Sequence, residues 1–145
     1  MHILKYTDYK KDGIFGTFQF SGDETPFCKT LSHAYPVGGT YQPIVSQGRT
    51  CTCQRGEHKL HNGIIFETFE ILGIEGHKGL LFHPLNFNID SEGCTGLGKK
   101  IIHYDSNHDG KITADDDSMI TDSKATFSEW MHRLDGVNSF TLLVQ

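Results

Sequence analysis

The sequence predicts a mainly β domain, a β-sandwich or a partly closed barrel, with one C-terminal α-helix packed on the sheet. Sixteen glycines punctuate many short apolar runs. Asp-Gly and Asn-Gly dipeptides separate pairs of strand-like segments. Apolar residues recur at helical spacing only over 124–134. The chain has 145 residues, of which 37% are hydrophobic, so we expect a single domain over 1–145.

The predicted strands are short runs of alternating or aromatic residues bounded by turn residues. In chain order they are 2–7, 14–20, 27–32, 50–60, 64–71, 79–83, a short strand after Cys94, 99–104 and Ser139–Val144. Asp12-Gly13 and Asn62-Gly63 predict hairpins between the strands on either side of them. A turn over 35–41 is expected to lead into a further extended segment, 42–46.

The predicted helix has an aromatic and aliphatic stripe that we interpret as a core face. Its members are Phe127, Trp130, Met131 and Leu134. Asp122 or Ser123 is expected to cap the start, and Gly136 to end the helix.

Charge and hydropathy exclude several partners. Thirteen basic and eighteen acidic residues give a net charge of −5, which argues against nucleic acid. There is no apolar stretch of about 18 residues and no apolar leader at the N-terminus, so we expect no membrane partner and no signal peptide. The four cysteines, Cys28, Cys51, Cys53 and Cys94, are expected to be reduced thiols.

An acidic segment at about 105–116 has oxygen-bearing residues at alternate positions, then glycine, and an acidic twelfth position. Calcium prefers such hard oxygen ligands. The expected ligands are Asp105, Asn107, Asp109, Lys111 through its carbonyl, Thr113 and Asp116. The segment resembles the calcium loop of the EF-hand and dockerin families, which implies one structural calcium. The alternative is a solvated acidic turn without metal.

A second segment carries a histidine on an apolar strand and a cysteine ten or so residues later. His83 is a candidate base for the Cys94 thiol, because the thiolate is the nucleophile. Asp90 or Glu92 would orient the imidazole, and Gly93 would allow close approach to the sulfur. Backbone N–H groups over 93–95 are candidate oxyanion donors.

This segment resembles an uncharacterised phage and bacterial family, a domain of unknown function with His-x-Gly-Asn followed by Asp-x-Glu-Gly-Cys. The residues that carry the resemblance are His83, Asn86, Asp90, Glu92, Gly93, Cys94, Leu97 and Gly98, with weaker matches at 14–18, 27–31 and 36–41. The family segment is itself similar to the signature of the L,D-transpeptidases, β-rich enzymes in which a cysteine nucleophile acts on peptidoglycan cross-links.

The resemblance implies a peptidoglycan peptide or other virion proteins as partners, and a place in the virion or the host cytoplasm. Two functions stay open. One is a cysteine-dependent transpeptidase or peptidase. The other is a non-catalytic tail or baseplate module in which His83 and Cys94 are a buried polar pair.

A last group contains residue types found in zinc sites: Cys51, Cys53, His58 and His61. Their spacing is not a common zinc framework. We expect two strand thiols and two exposed turn histidines instead.

Overall fold

A computed structural model describes residues 1–60, 62–87 and 93–145. Its elements are β1 (His2–Lys10), β2 (Gly13–Gln19), β3 (Cys28–Ser32), β4 (Tyr35–Val37), β5 (Thr40–Gln42), β6 (Thr50–Lys59), β7 (Ile65–Ile71), β8 (Thr95–Gly98), β9 (Ile101–His103), β10 (Ser118–Ile120), α1 (Ser123–Arg133) and β11 (Ser139–Val144). The mainly β class with one C-terminal helix is confirmed. In these ranges no helix is long and apolar enough to cross a membrane.

One curled sheet carries most of the fold, in the order β7-β6-β11-β1-β2-β3-β8. Neighbouring strands pair antiparallel except β1 and β11, which are parallel with His2 opposite Leu142. The first and last strands of the chain therefore lie side by side in the middle of the sheet.

Both predicted hairpins form. In the first, Lys10 pairs with Gly13, so the two-residue turn is Lys11 and Asp12, one residue earlier than the Asp12-Gly13 dipeptide predicted. Gly13 begins β2 with a φ of +147°, which favours glycine. In the second hairpin, Ile64 N–H donates to Asn62 Oδ1 at 3.1 Å, a side-chain turn bond of the kind that favours asparagine there.

The predicted turn over 35–41 is a small separate hairpin of β4 and β5. The prediction of an extended segment over 42–46 is wrong, since β5 ends at Gln42. Pro43 has no N–H to donate to a ladder, which explains why the strand stops there.

The segment before His83 connects the two outer strands of the sheet. Phe82 N–H donates to the Phe69 carbonyl of β7 at 3.2 Å, and Thr95 N–H of β8 donates to the Leu81 carbonyl at 2.9 Å. We predicted a strand over 79–83, but the pairing consists of isolated bridges at Leu81 and Phe82. These bridges make the curled sheet a partly closed barrel.

Trp130 of α1 is at the centre of the main core and is 0% exposed. Its ring centroid lies 4.8 Å from that of Phe82, 5.5 Å from Phe18 and 5.7 Å from Phe69. The helix thus packs on the concave side of the sheet, as its aromatic stripe predicted.

The ends of α1 differ from the expected capping. Asp122 precedes the helix with a φ of +53° and makes no side-chain cap bond. Ser123 Oγ instead accepts the Leu85 N–H at 2.9 Å, which ties the helix start to the segment after His83. Gly136 follows the helix with a φ of +78°, in agreement with its predicted role.

A smaller apolar cluster lies on the opposite face of β2 and β3. Its members are Phe15, Leu31, Leu85 and Ile120. The two faces follow from strand alternation, since neighbouring Ile14 belongs to the main core. The hairpin of β9 and β10 contributes Ile120 to this cluster. The acidic segment 105–116 is therefore the connection of a β-hairpin, with a strand rather than a helix before it.

Candidate functional site

Cys94 differs from the other cysteines in exposure. Of the four, all within the described ranges and all free thiols, Cys94 alone is half-buried rather than buried. Its Sγ lies 3.7 Å from the Gly79 carbonyl oxygen. The thiol therefore stands at the surface, immediately before β8.

The other thiols are shielded from water, which disfavours their thiolate forms. Burial raises the pKa of Cys28 to about 12. Burial likewise raises the pKa of Cys51 and of Cys53. A reagent that needs thiolate should therefore react slowly at these three positions.

His83 is only 5% exposed, and its ring orientation is fixed by the backbone. Its Nδ1 lies 2.8 Å from the Pro84 carbonyl oxygen. A carbonyl oxygen can only accept, so Nδ1 carries the hydrogen of this bond. In the neutral imidazole, Nε2 is then the nitrogen without a hydrogen, which is the form that a general base needs.

The backbones that carry His83 and Cys94 are neighbours. Phe82 is bridged in parallel to Thr95, and His83 N–H donates to the Thr95 carbonyl at 3.1 Å. In regular parallel geometry this register puts His83 and Cys94 on one side of the pair, with Cα atoms roughly 8 Å apart. The expected adjacency of the two segments is present. Hydrogen-bond contact between the imidazole and the sulfur stays a prediction.

Two of the predicted supporting residues, Asp90 and Glu92, lie outside the described residues. Asn86, one of the residues that carry the family resemblance, donates from Nδ2 to the Ile120 carbonyl at 2.8 Å. It therefore fastens this segment to β10.

Gly93 lies against the protein's own side chains. It has a φ of +109°. A Cβ at this position would lie 2.7 Å from Ile44 Cδ1, 3.0 Å from Leu80 Cδ2 and 3.6 Å from the Tyr35 hydroxyl. The positive φ requires glycine, and a Cβ would also force the Ile44 and Leu80 side chains to shift.

The donors expected over 93–95 are not all available to a substrate. Thr95 N–H is occupied by the Leu81 carbonyl at 2.9 Å. The Thr95 hydroxyl is 3.1 Å from that of Ser32. An oxyanion site at Cys94 therefore needs a donor other than Thr95.

The side chains of the acidic loop accept hydrogen bonds from the loop's own backbone N–H groups. Asp105 Oδ1 and Asn107 Oδ1 both accept Asp109 N–H at 3.1 Å. Asp105 Oδ2 accepts Gly110 N–H at 2.9 Å, and Asp109 Oδ1 accepts Lys111 N–H at 2.8 Å. The side chains at the first, third and fifth positions are thus directed into one turn.

The twelfth position is separately anchored. Asp116 is 5% exposed, and its Oδ2 accepts Thr113 N–H at 2.8 Å. Throughout the described ranges, no three His, Cys, Asp or Glu side chains converge as they would around a metal ion. This finding covers Asp105, Asp109 and Asp116, three of the predicted calcium ligands; the other three are an asparagine, a backbone carbonyl and a hydroxyl.

The possible zinc residues are only partly assembled. Cys51 and Cys53 are buried on one face of β6. His58 is in β6 and half-buried, so the expectation of an exposed turn histidine is wrong for it. His61 lies outside the described residues.

Sequence reasoning missed the Pro84 carbonyl as the partner of His83. Every residue has a carbonyl, so no local pattern marks the one that will orient an imidazole.

Comparison with known proteins found no matching family model, no matching curated protein and no matching solved structure, so the functional argument depends on these residues and their geometry.

Proposed function

We propose that the protein is a cysteine-dependent acyl-transfer domain that acts on peptidoglycan peptides, with Cys94 as nucleophile and His83 as base. The observation that carries the proposal is the bond from His83 Nδ1 to the Pro84 carbonyl at 2.8 Å. It leaves Nε2 as the acceptor nitrogen, on a segment hydrogen-bonded beside Cys94. A nucleophile, a base and a group that orients the base form the arrangement that such chemistry needs.

The proposed reaction has two steps. His83 Nε2 takes the thiol proton, and the Cys94 sulfur attacks a peptide carbonyl carbon, forming a C–S bond and a negative oxygen. That intermediate collapses, the C–N bond breaks, and protonated His83 gives its proton to the departing amine. In the second step an acceptor amine, or water, gives a proton to His83 and attacks the thioester carbonyl carbon. The C–S bond breaks, and the departing Cys94 sulfur takes the proton back from His83.

The test is a digest of muropeptides with the wild type and Cys94→Ala, Cys94→Ser and His83→Gln variants. We expect new cross-linked or cleaved products from the wild type, none from the Cys94 variants, and a loss of about 100-fold in rate for His83→Gln. His132→Gln is the matched control, because His132 is exposed on α1. Identical product profiles for the wild type and Cys94→Ala would refute catalysis.

Alkylation by iodoacetamide gives a second readout without a substrate. Cys94 should label first under any function, because the other three thiols are buried. The informative quantity is the change in Cys94 labelling rate at neutral pH on substitution of His83. A clear decrease supports a base that makes thiolate, whereas an unchanged rate contradicts it.

The alternative is a non-catalytic module of a phage particle, which binds peptidoglycan or other virion proteins. The burial of His83, 5% exposed, favours this reading, because buried polar pairs also stabilise loops. Cosedimentation with peptidoglycan that persists in Cys94→Ala, without any product, would favour the module over the enzyme.

For the loop 105–116 we propose one structural calcium ion. The side chains of Asp105, Asn107 and Asp109 are already directed into one turn by their bonds to backbone N–H groups. With Lys111 through its carbonyl, Thr113 and Asp116, they offer the hard oxygens that calcium prefers. A single loop that ends in aspartate should bind weakly, with a Kd of roughly 10⁻⁵ to 10⁻³ M.

A further inference from the structure

The imidazole of His83 is connected to the helix α1 through the peptide group that follows Pro84. Its Nδ1 donates to the Pro84 carbonyl oxygen at 2.8 Å. The same peptide group carries the Leu85 N–H, which donates to the Ser123 hydroxyl oxygen at 2.9 Å. Because a peptide group is planar, the direction of its N–H fixes the direction of its carbonyl. His83 and Ser123 are thus joined through one rigid group.

The backbone around this peptide group is restricted by the proline. A proline ring limits its own φ to about −65°, and the residue before a proline is limited to extended conformations. The main freedom left is a rotation of the peptide group between Pro84 and Leu85. The bond to Ser123 opposes that rotation, since turning the peptide plane would break it.

The bond between Leu85 and Ser123 is also shielded from water. Leu85, Ser123 and His83 are all buried. A buried N–H without an acceptor is costly, and hydrogen bonds linked in a chain polarise one another. The Ser123 hydroxyl therefore also makes the Pro84 carbonyl a better acceptor for the imidazole.

The position of the segment has a second support, which does not involve Ser123. Asn86 Nδ2 donates to the Ile120 carbonyl at 2.8 Å, and Ile120 N–H donates to the Asn86 carbonyl at 3.0 Å. Loss of the Ser123 hydroxyl should therefore free the peptide group to rotate while the segment stays beside β10.

We infer that Ser123 is a positioning residue, which holds His83 in the tautomer that carries its hydrogen on Nδ1. The inference rests on the proposed function for the use of Nε2 as the base that takes the Cys94 proton. The tautomer itself does not depend on catalysis. The first residue of α1 thereby has a role at the candidate site as well as in the helix.

Nitrogen NMR of isotope-labelled histidine tests this role without a substrate. Long-range proton–nitrogen correlation distinguishes a ring nitrogen that carries a hydrogen from one that does not. The chain has nine histidines, and the signals that disappear in His83→Gln identify those of His83. Spectra are recorded at a pH where the ring is neutral. Alanine favours helices, so α1 should still form in Ser123→Ala, which circular dichroism checks.

For Ser123→Ala we expect the ratio of the Nδ1–H to the Nε2–H tautomer of His83 to fall by about tenfold, the effect of losing one hydrogen bond. Ser123→Thr keeps the hydroxyl and should stay within about twofold of the wild type. Ser118→Ala is the matched control, because both serines are 3% exposed but the Ser118 hydroxyl lies 3.3 Å from His103 Nδ1 instead. A ratio within about twofold of the wild type in Ser123→Ala would overturn the inference, as would an equal fall in Ser123→Thr or Ser118→Ala.

Failure of the proposed function would look different. It would appear as identical muropeptide profiles for the wild type and Cys94→Ala. The tautomer ratio of His83 is measured without a substrate, so it would still decide the role of Ser123.

Discussion

Replacement of Trp130 by alanine should remove a large part of the stability of the fold. The indole is 0% exposed and contacts the rings of Phe18 in β2, Phe69 in β7 and Phe82 in the bridged segment. Deletion of a large core aromatic costs about 3–5 kcal/mol, through lost transfer free energy and the cavity left behind. Against a total of about 5–15 kcal/mol for ordinary domains, this is a severe loss.

Trp130→Phe provides a graded comparison. Among the described residues, the Trp130 Nε1 atom is buried without a hydrogen-bond partner. An unsatisfied buried donor costs about 1–3 kcal/mol, and phenylalanine removes it while it keeps most of the ring contacts. We therefore expect a loss of only about 1–2 kcal/mol, smaller than that of the alanine variant.

Urea unfolding followed by far-ultraviolet circular dichroism measures these losses. The chain has one tryptophan, so the wild-type fluorescence reports on Trp130 alone and should be blue-shifted in the native state. Glu129→Ala, at an exposed neighbouring position on α1, should stay within about 0.5 kcal/mol of the wild type. A loss below about 1 kcal/mol in Trp130→Ala, or emission like that of free tryptophan, would refute the docking of the helix.

Three further predictions concern metal, pH and strand packing. Chelator should lower the Tm and added calcium should restore it through the loop 105–116, whereas an unchanged Tm in chelator would remove calcium as a stabiliser. Burial lowers the pKa of His2, whose Nδ1 accepts the Ser21 N–H at 2.8 Å. The neutral His2 ring therefore adds to the free energy of unfolding above its unfolded pKa of 6.5, and this addition is lost as the pH falls through the lowered folded pKa. In His2→Gln, the free energy of unfolding should fall less on acidification than it does in the wild type. Gly16→Ala should destabilise the fold by about 1–3 kcal/mol or more, because its Cβ would collide with a β1 carbonyl oxygen. Gly56→Ala is the control, since its Cβ would meet only a flexible side chain. Equal urea midpoints for the two variants would contradict this prediction.

Elements formed by neighbouring residues were predictable from the sequence. The alternation in β6 and β7 and the Asn62-Gly63 dipeptide predicted that hairpin, because turn chemistry and side-chain periodicity are local properties. The same is true of the α1 stripe. Short elements were not predictable: β10 has three residues, too few to show a period.

The candidate site was predictable in its residue types but not in its geometry. His83 and Cys94 could be selected because a histidine and a glycine-preceded cysteine suit nucleophilic chemistry. The partner of the imidazole, a backbone carbonyl, and the approach of Tyr35 to Gly93 depend on how distant segments pack. Neither leaves a mark on the local sequence.

The sequence by itself determined that short strands would be joined by tight turns and that one amphipathic helix would pack on them, because backbone preference and side-chain periodicity are properties of neighbouring residues. The tertiary structure decided that β1 and β11 pair in parallel and that the bridges of Leu81 and Phe82 connect β7 to β8. Those pairings join residues far apart in the chain. Their selection depends on which arrangement buries Trp130 and the aromatic core while it satisfies the backbone hydrogen bonds of every strand, and that condition involves the whole chain at once.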